Sequence, residues 1–391
     1  MVKRHFVLLL LRAPNRPKNR EANEMRRKIL TVVGTRPNFI KITQFEKEFA
    51  KHPDQFDYKL LHTGQHFDKA MSDIFFEQLG LNKIDFALGI ESGSPAHQIG
   101  KIISGMDEVF SKWKPDLMLV VGDVNSTLAA SLAANKSGVQ LAHVESGLRS
   151  RDASMPEEHN RIVTDYFSDI LFTTENSGNE NLQKEGKQKE QIHFVGNTMI
   201  DTLVAFEEKI SQSKILDELK LNPKEFILMT IHRPSNVDSP EQLKKLYDLI
   251  DFVSEKYAVV FPIHPRTLKN AAASGMEKRI SANRKLIATG PMDYFSFQQL
   301  VKNCALVLTD SGGIQEETTF RRVSCLTLRE NTERPVTVEM GTNELIPFNL
   351  EIIAGKISSI QNGTYKTGII PPLWDGKSSQ RIVETLCKIN G

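Results

Sequence analysis

The sequence predicts an α/β fold built from two doubly wound parallel sheets. Three observations carry this expectation. Short apolar, β-rich runs alternate with helical patterns from Lys28 onward, as strands of a sheet buried on both faces do. The runs fall into two series. The chain's 391 residues exceed what a single hydrophobic core usually organises.

The first series of expected strands covers 29–33, 58–62, 117–121, 140–144, 170–173 and 192–195. The second covers 226–231, 258–263, 285–288, 305–309 and 324–328. Between them, Asn197 to Leu221 reads as a helix and a polar connection. The expected division is therefore an extension over 1–26, a first domain over 27–197, a second over 198–377 and a closing helix over 378–391. The closing helix carries Ile382, Val383, Leu386 and Ile389 on one face. The extension has a basic start and a short apolar run, Phe6 to Leu11, followed by Arg12, Arg16, Lys18 and Arg20 with no small-residue cleavage site. It reads as disordered, with Met25 as the functional start, rather than as a signal peptide.

Composition excludes several classes. The 50 basic and 48 acidic residues are mixed along the chain, without the basic stripe that tracks nucleic-acid phosphates. No run reaches the roughly 20 apolar residues that span a bilayer. Cys304, Cys325 and Cys387 are odd in number and lack metal-ligand spacing, which fits a reducing cytoplasm and predicts no metal site. No GxGxxG follows a strand and no GxxxxGK[ST] occurs, so no dinucleotide cofactor is expected.

Ligands of open parallel sheets bind beyond the carboxyl ends of the strands, where loops converge and helix N-termini point. The polar clusters of this sequence stand there. Gly34-Thr35-Arg36-Pro37-Asn38 follows the first strand, with Lys41 in the next helix; Thr63-Gly64-Gln65-His66, Gly122 to Thr127 and Glu145 to Arg149 follow later ones. The second half supplies His232-Arg233, His264-Pro265-Arg266 and Asp310-Ser311-Gly312-Gly313. The last cluster is the clearest phosphate signal, because two glycines allow close backbone approach to a helix expected from Ile314. Arg334 adds a second cation, and Arg149 and His264 are further candidate substrate ligands.

Three carboxylates are candidates for proton handling. Asp123 could cap the following helix, but Asn125, Ser126 and Thr127 offer adjacent caps and leave it available at the strand tip. Glu145 follows a second strand, where an apolar sheet would raise its pKa toward that of a general acid or base. Glu157 and Glu158 follow Met155-Pro156 at a helix start, where one of the two is expected to serve the helix dipole. His232 faces the same crevice as a diphosphate ligand or proton donor. His62 and His143 lie within strands and are expected either to belong to the core or to stand just behind the site residues.

Together these segments resemble the motif set of the non-hydrolysing UDP-N-acetylglucosamine 2-epimerases: GTRPNFIK, GDVNST, HVESGLRS, MPEEHNR, VGNTMID, TDSGGIQEE and ENTERP, in order from about Lys28 to Leu386. The resemblance implies a GT-B architecture, two Rossmann-like domains facing a central cleft, with a last helix that crosses back to the first. It implies catalytic acids at Asp123, Glu145 and Glu157, an active-site histidine at His232, and Arg36, Lys41 and Arg161 near the sugar diphosphate. Ser311, Gly312, Gly313, Glu317 and Arg334 match the nucleotide-binding set, with Glu317 suited to ribose hydroxyls. The implied reaction removes the C2 proton as UDP leaves C1, then re-adds UDP to 2-acetamidoglucal with a proton on the other face. No cofactor is implied, and a homodimer is.

The resemblance departs at two places. Members activated by a second substrate molecule carry a histidine-arginine-x-glutamate stretch and a further glutamine, where this chain has His232-Arg233-Pro234-Ser235 and Gln65-His66-Phe67-Asp68. Other readings make different demands. A glycosyltransferase of the same architecture would need an acceptor groove, a hydrolysing epimerase would release stoichiometric UDP, and a sugar-nucleotide sensor would not need a full carboxylate set. The same chemistry on a 3-acetamido or uronic-acid relative of the substrate fits the motifs equally.

Overall fold

The computed structural model describes residues 26–64, 78–81, 83–91, 93–263 and 282–390, with the single residues 76, 267, 270, 275 and 279. The extension before residue 26, the stretches 65–68 and 264–266, and the side chains of Arg36, Pro234 and Ser235 lie outside that description.

Among the described residues, thirteen strands form two parallel sheets. The first contains β1 (Arg27–Val33), β2 (Phe56–His62), β3 (Phe86–Ala87), β4 (Leu117–Val121), β5 (Gln140–Val144), β6 (Ile170–Thr173) and β7 (Ile192–Phe194), in the order β3-β2-β1-β4-β5-β6-β7. The second contains β8 (Phe226–Thr230), β9 (Ala258–Pro262), β10 (Leu286–Thr289), β11 (Leu306–Thr309), β12 (Cys325–Leu328) and β13 (Asn343–Ile346), in the order β10-β9-β8-β11-β12-β13. The direction of winding reverses between β1 and β4 in one sheet and between β8 and β11 in the other. A parallel sheet opens its crevice at such a reversal.

The strands are apolar on both faces because helices cover both. In β4, Leu117, Leu119 and Val121 join the core on one side while Met118 and Val120 join that on the other. Each such buried side chain contributes about 1.5–3 kcal/mol of transfer free energy. The second sheet repeats the arrangement, with Ile227 and Met229 of β8 on one face and Phe226 and Leu228 on the other. β3 and β13 are absent from the strands expected from sequence. β3 is two residues long and β13 reads Asn-Glu-Leu-Ile, too short for either to show a period.

The crossover between the sheets begins at Asn197, whose side chain accepts from Met199 N and caps the helix Thr198–Ala205. That helix packs against both the helix Arg36–Ile42 and the helix Gly312–Arg321, so one element touches both crevices. The chain later returns. Trp374, fully buried, donates from Nε1 to Thr174 O at 2.9 Å. The helix Ser378–Asn390 then places Ile382, Val383 and Leu386 in one core with Ile42, Phe45 and Phe49. Asp201 accepts from the backbone N–H groups of Ser378 (2.9 Å) and Ser379 (2.6 Å), fixing the start of this helix. Among the described residues, no helix is long and apolar enough to cross a membrane.

Candidate active site

The two crevices supply the functional side chains. After β1 the backbone enters the helix Arg36–Ile42 directly, with Arg36 and Pro37 as its first residues. Asn38 in its first turn donates to Val121 O at 2.9 Å, tying the β1 and β4 tips together. Lys41, one turn further, points across the reversal and forms a buried ion pair with Glu145.

Glu145 sits at the tip of β5 with φ +70°, a conformation that side chains adopt only when their surroundings impose it. Its neighbour Ser146 donates to Phe172 O at 3.0 Å and holds the backbone there. Glu145 faces Lys41, with Arg334 at 3.8 Å, and not the apolar wall expected from the sequence. Its Oε1 is buried and accepts no hydrogen bond among the described residues.

Asp123 follows β4 and pairs with Arg161 Nη2 at 2.5 Å. Burial would raise its carboxyl, but Arg161, Lys41 and Arg334 outweigh this and hold it below the usual carboxylate range. The expected caps do not form. The helix starts at Asn125 with Val124 as its N-cap residue, Thr127 donates to Val121 O at 2.8 Å, and Ser126 meets Thr63 at 2.9 Å. Asp123 is nonetheless committed to an arginine and not to the helix.

At the start of the helix Pro156–Phe167 the glutamates divide clearly. Glu158 is buried and accepts from Ser150 N (2.9 Å), Arg151 N (2.9 Å) and Arg161 Nη1 (2.8 Å). It ties down the loop after β5 rather than its own helix end. Glu157 is exposed, and its carboxylate is close enough to Arg233, beyond β8 of the other sheet, to favour the arginine's charge. The structure does not bring Arg149 into this cluster. Its guanidinium is bound to Asp165 (2.8 Å) and Glu185 (2.6 Å), inside the first half.

The second sheet contributes from β8 and β11. Asp310, buried beyond β11, accepts from the backbone N–H of His232 (3.1 Å) and Arg233 (2.9 Å) and from Asn236 Nδ2 (2.9 Å), fixing the β8 tip. His232 Nδ1 lies 3.1 Å from the same carboxylate and its side chain is 47% exposed, so the ring is oriented yet open to a ligand. The helix after β11 runs from Gly312 rather than Ile314, with Ser311 as its N-cap residue. A Cβ at Gly312 would stand 2.5 Å from Glu333 Oε1 and 2.7 Å from Arg334 Nη1, so any side chain there would push these two groups aside.

Arg334 joins the halves. Its Nε is 3.0 Å from Glu316 Oε2, its Nη1 pairs with Glu333, and its Nη2 is 3.8 Å from Glu145 Oε1. Burial penalises its charge, but Glu316, Glu333, Glu145 and Asp123 surround the guanidinium and keep it protonated. Glu333, despite burial, is held well below the usual range by Arg334, Arg329 and Arg161. Glu316 is pushed up by burial and by Glu145. Glu317 points the other way, toward Gln298; burial raises its carboxyl to about 7.

Sequence reasoning missed Glu316, Glu333, Asp310 and Asn38 as site residues. Each stands inside a motif already singled out, so the signal was present but could not say which carboxylate faces inward. His62 is buried against Phe39 and Phe76, and burial lowers it to about 4.

Paired acids and cations thus meet at the crevices of two facing parallel sheets, above a glycine-opened helix N-terminus. This defines a two-domain α/β protein with a nucleotide-sugar type of cleft. The family described as UDP-N-acetylglucosamine 2-epimerase matches residues 47–387, and the chain belongs to that family. A UDP-N-acetylglucosamine 2-epimerase of Methanococcus maripaludis is 40% identical over 362 residues, covering 91% of this chain and 97% of that protein. A UDP-2,3-diacetamido-2,3-dideoxy-D-glucuronate 2-epimerase of Pseudomonas aeruginosa is 37% identical, covering 93% and 100%. The crystal structure of Methanocaldococcus jannaschii UDP-GlcNAc 2-epimerase in complex with UDP-GlcNAc and UDP superposes with a TM-score of 0.84 at 37% identity, covering 92% and 99%. The GT-B arrangement expected from the motifs is the arrangement observed.

Proposed function

We propose that this protein interconverts UDP-N-acetylglucosamine and UDP-N-acetylmannosamine. The observation that carries the reading is the meeting of Asp123 and Glu145, on adjacent strand tips, with Lys41, Arg161 and Arg334. A carboxylate takes the C2 proton; the C1–O bond breaks, its electron pair leaves with UDP, and a C1–C2 double bond remains. Protonation of C2 on the opposite face and return of the UDP oxygen to C1 complete the change. Two carriers on two loops suit the two faces, with Glu157 and His232 as further proton-handling groups. Arg36, Lys41, Arg161 and Arg334 stabilise charge developing on the diphosphate.

In this reading the half up to about residue 197 does the chemistry. The second half holds UDP through Ser311, Gly312, Gly313 and Arg334. The enzyme works as a cytoplasmic homodimer and supplies precursors of cell-surface polysaccharide. The test is incubation with UDP-N-acetylglucosamine in deuterated water, without added nicotinamide or metal, followed by NMR. Both epimers should carry deuterium at C2; epimerisation with the original hydrogen retained overturns the mechanism. The similarity to the diacetamido-glucuronate enzyme supports a second reading with that sugar as substrate, separated from the first by comparing kcat/KM for the two.

A further inference from the structure

Behind the two carboxylates lies a buried group that the reaction itself does not use. Asp165, on the helix Pro156–Phe167, is 1% exposed, yet three donors converge on it. Its Oδ2 accepts from Gly147 N at 3.0 Å and lies 2.8 Å from Arg149 Nη2. Its Oδ1 lies 2.6 Å from Nδ1 of His143, a fully buried residue of β5. The other ring nitrogen of His143 is 2.8 Å from Gly122 O. A carbonyl oxygen only accepts, so Nε2 carries a proton and donates to it.

Gly122 directly precedes Asp123, and Gly147 stands two residues after Glu145. We propose that Asp165 and His143 are positioning residues that set the spacing of Asp123 and Glu145 from a single buried point. The assignment rests on the epimerase reading above. Burial raises the Asp165 carboxyl, but His143, Arg149 and the Gly147 N–H outweigh it and keep it ionised. A buried ion pair is a weak source of stability compared with apolar side chains of the same volume, so stability alone does not account for one here.

The reaction makes unequal demands on this spacing. Removing the C2 proton with loss of UDP needs one carrier in place, whereas returning a proton to the opposite face needs both. If the loops drift, elimination outlasts inversion, and 2-acetamidoglucal escapes with UDP. A misplacement of about 1 Å can lower a rate by roughly 100-fold.

The experiment uses the full chain with His143→Leu, His143→Gln and Asp165→Asn, measuring epimer formed, 2-acetamidoglucal released and UDP affinity by calorimetry. His143→Leu should form epimer at least ~10-fold more slowly, with a several-fold higher ratio of glucal to epimer and UDP affinity within about twofold of wild type. His143→Gln, which restores an N–H for Gly122 O, should recover most of the rate and the partition. Asp165→Asn keeps the shape but cannot serve all three donors, and should shift the partition in the same direction; it answers the question if the leucine variant does not fold. A wild-type partition in His143→Leu or Asp165→Asn overturns the assignment, as does equal loss of turnover and UDP binding in the leucine and glutamine variants. Wild-type turnover of UDP-N-acetylglucosamine in the same series tests the epimerase reading by itself.

Discussion

Arg334 Nε lies 3.0 Å from Glu316 Oε2 in an interior where Asn197 Nδ2 also donates to Glu316 Oε1 at 2.8 Å. Glu316 therefore holds the cation of the cleft with one oxygen and the crossover between the sheets with the other. Arg334→Ala would leave Glu316, Glu333 and Glu145 facing one another without their shared cation. Urea unfolding should show a loss of about 3–5 kcal/mol, the usual result of breaking a buried pair from one side. A loss under about 1 kcal/mol would show that the guanidinium serves only the ligand.

Ser311→Ala separates binding from stability. The Ser311 hydroxyl makes no capping bond to its helix, so unfolding should change by less than about 0.5 kcal/mol. UDP affinity should fall several-fold because an anion at the helix N-terminus loses a donor. Unchanged affinity places the diphosphate elsewhere.

Asp123→Asn and Glu145→Gln keep shape but remove a proton acceptor. Each should lower kcat by roughly 100-fold or more while UDP still binds. Turnover kept with UDP affinity lost would invert the division of labour between the halves.

The strand tips were legible from sequence because strands buried on both faces read as unbroken apolar runs, and each run ends where a polar loop begins. That reading placed β4, β5 and β6 at their observed bounds. It did not find β13, whose burial is set by neighbours rather than by alternation in its own residues. Nor could it rank Glu157 against Glu158 or Glu316 against Glu317. Adjacent helical residues differ by about 100° in direction, and only the packed partner decides which one turns inward. For Arg149, a cation beside the site, its acids Asp165 and Glu185 come from later segments that no motif connected to it.

Glu175, at the end of β6, should make stability depend on pH. Burial raises its carboxyl to about 7, and its Oε1 accepts from Val336 N at 3.4 Å across the cleft. Its folded pKa lies above the unfolded value of about 4.3, so its contribution is complete below pH 4 and is lost as pH rises through 7. Glu175→Gln keeps the acceptor without the charge. Relative to wild type it should gain on the order of 1–3 kcal/mol between pH 5 and pH 8 by chemical denaturation. No pH dependence in that difference refutes the burial argument.

Trp374→Phe should cost about 1–2 kcal/mol, from the indole bond to Thr174 O and the volume removed. Trp374→Ala should cost about 3–5 kcal/mol and weaken the docking of the helix behind it. Thermal melts and proteolysis near residue 374 would register both.

The return of that helix also sets a schedule for synthesis. Ile42, Phe45 and Phe49 are made early, but Ile382, Val383 and Leu386, which cover them, are translated after the whole second sheet. At roughly 5–20 residues per second, the earlier surface stays uncovered on the ribosome for tens of seconds. During that interval it is a target for chaperones and for aggregation, although in the finished protein it is interior.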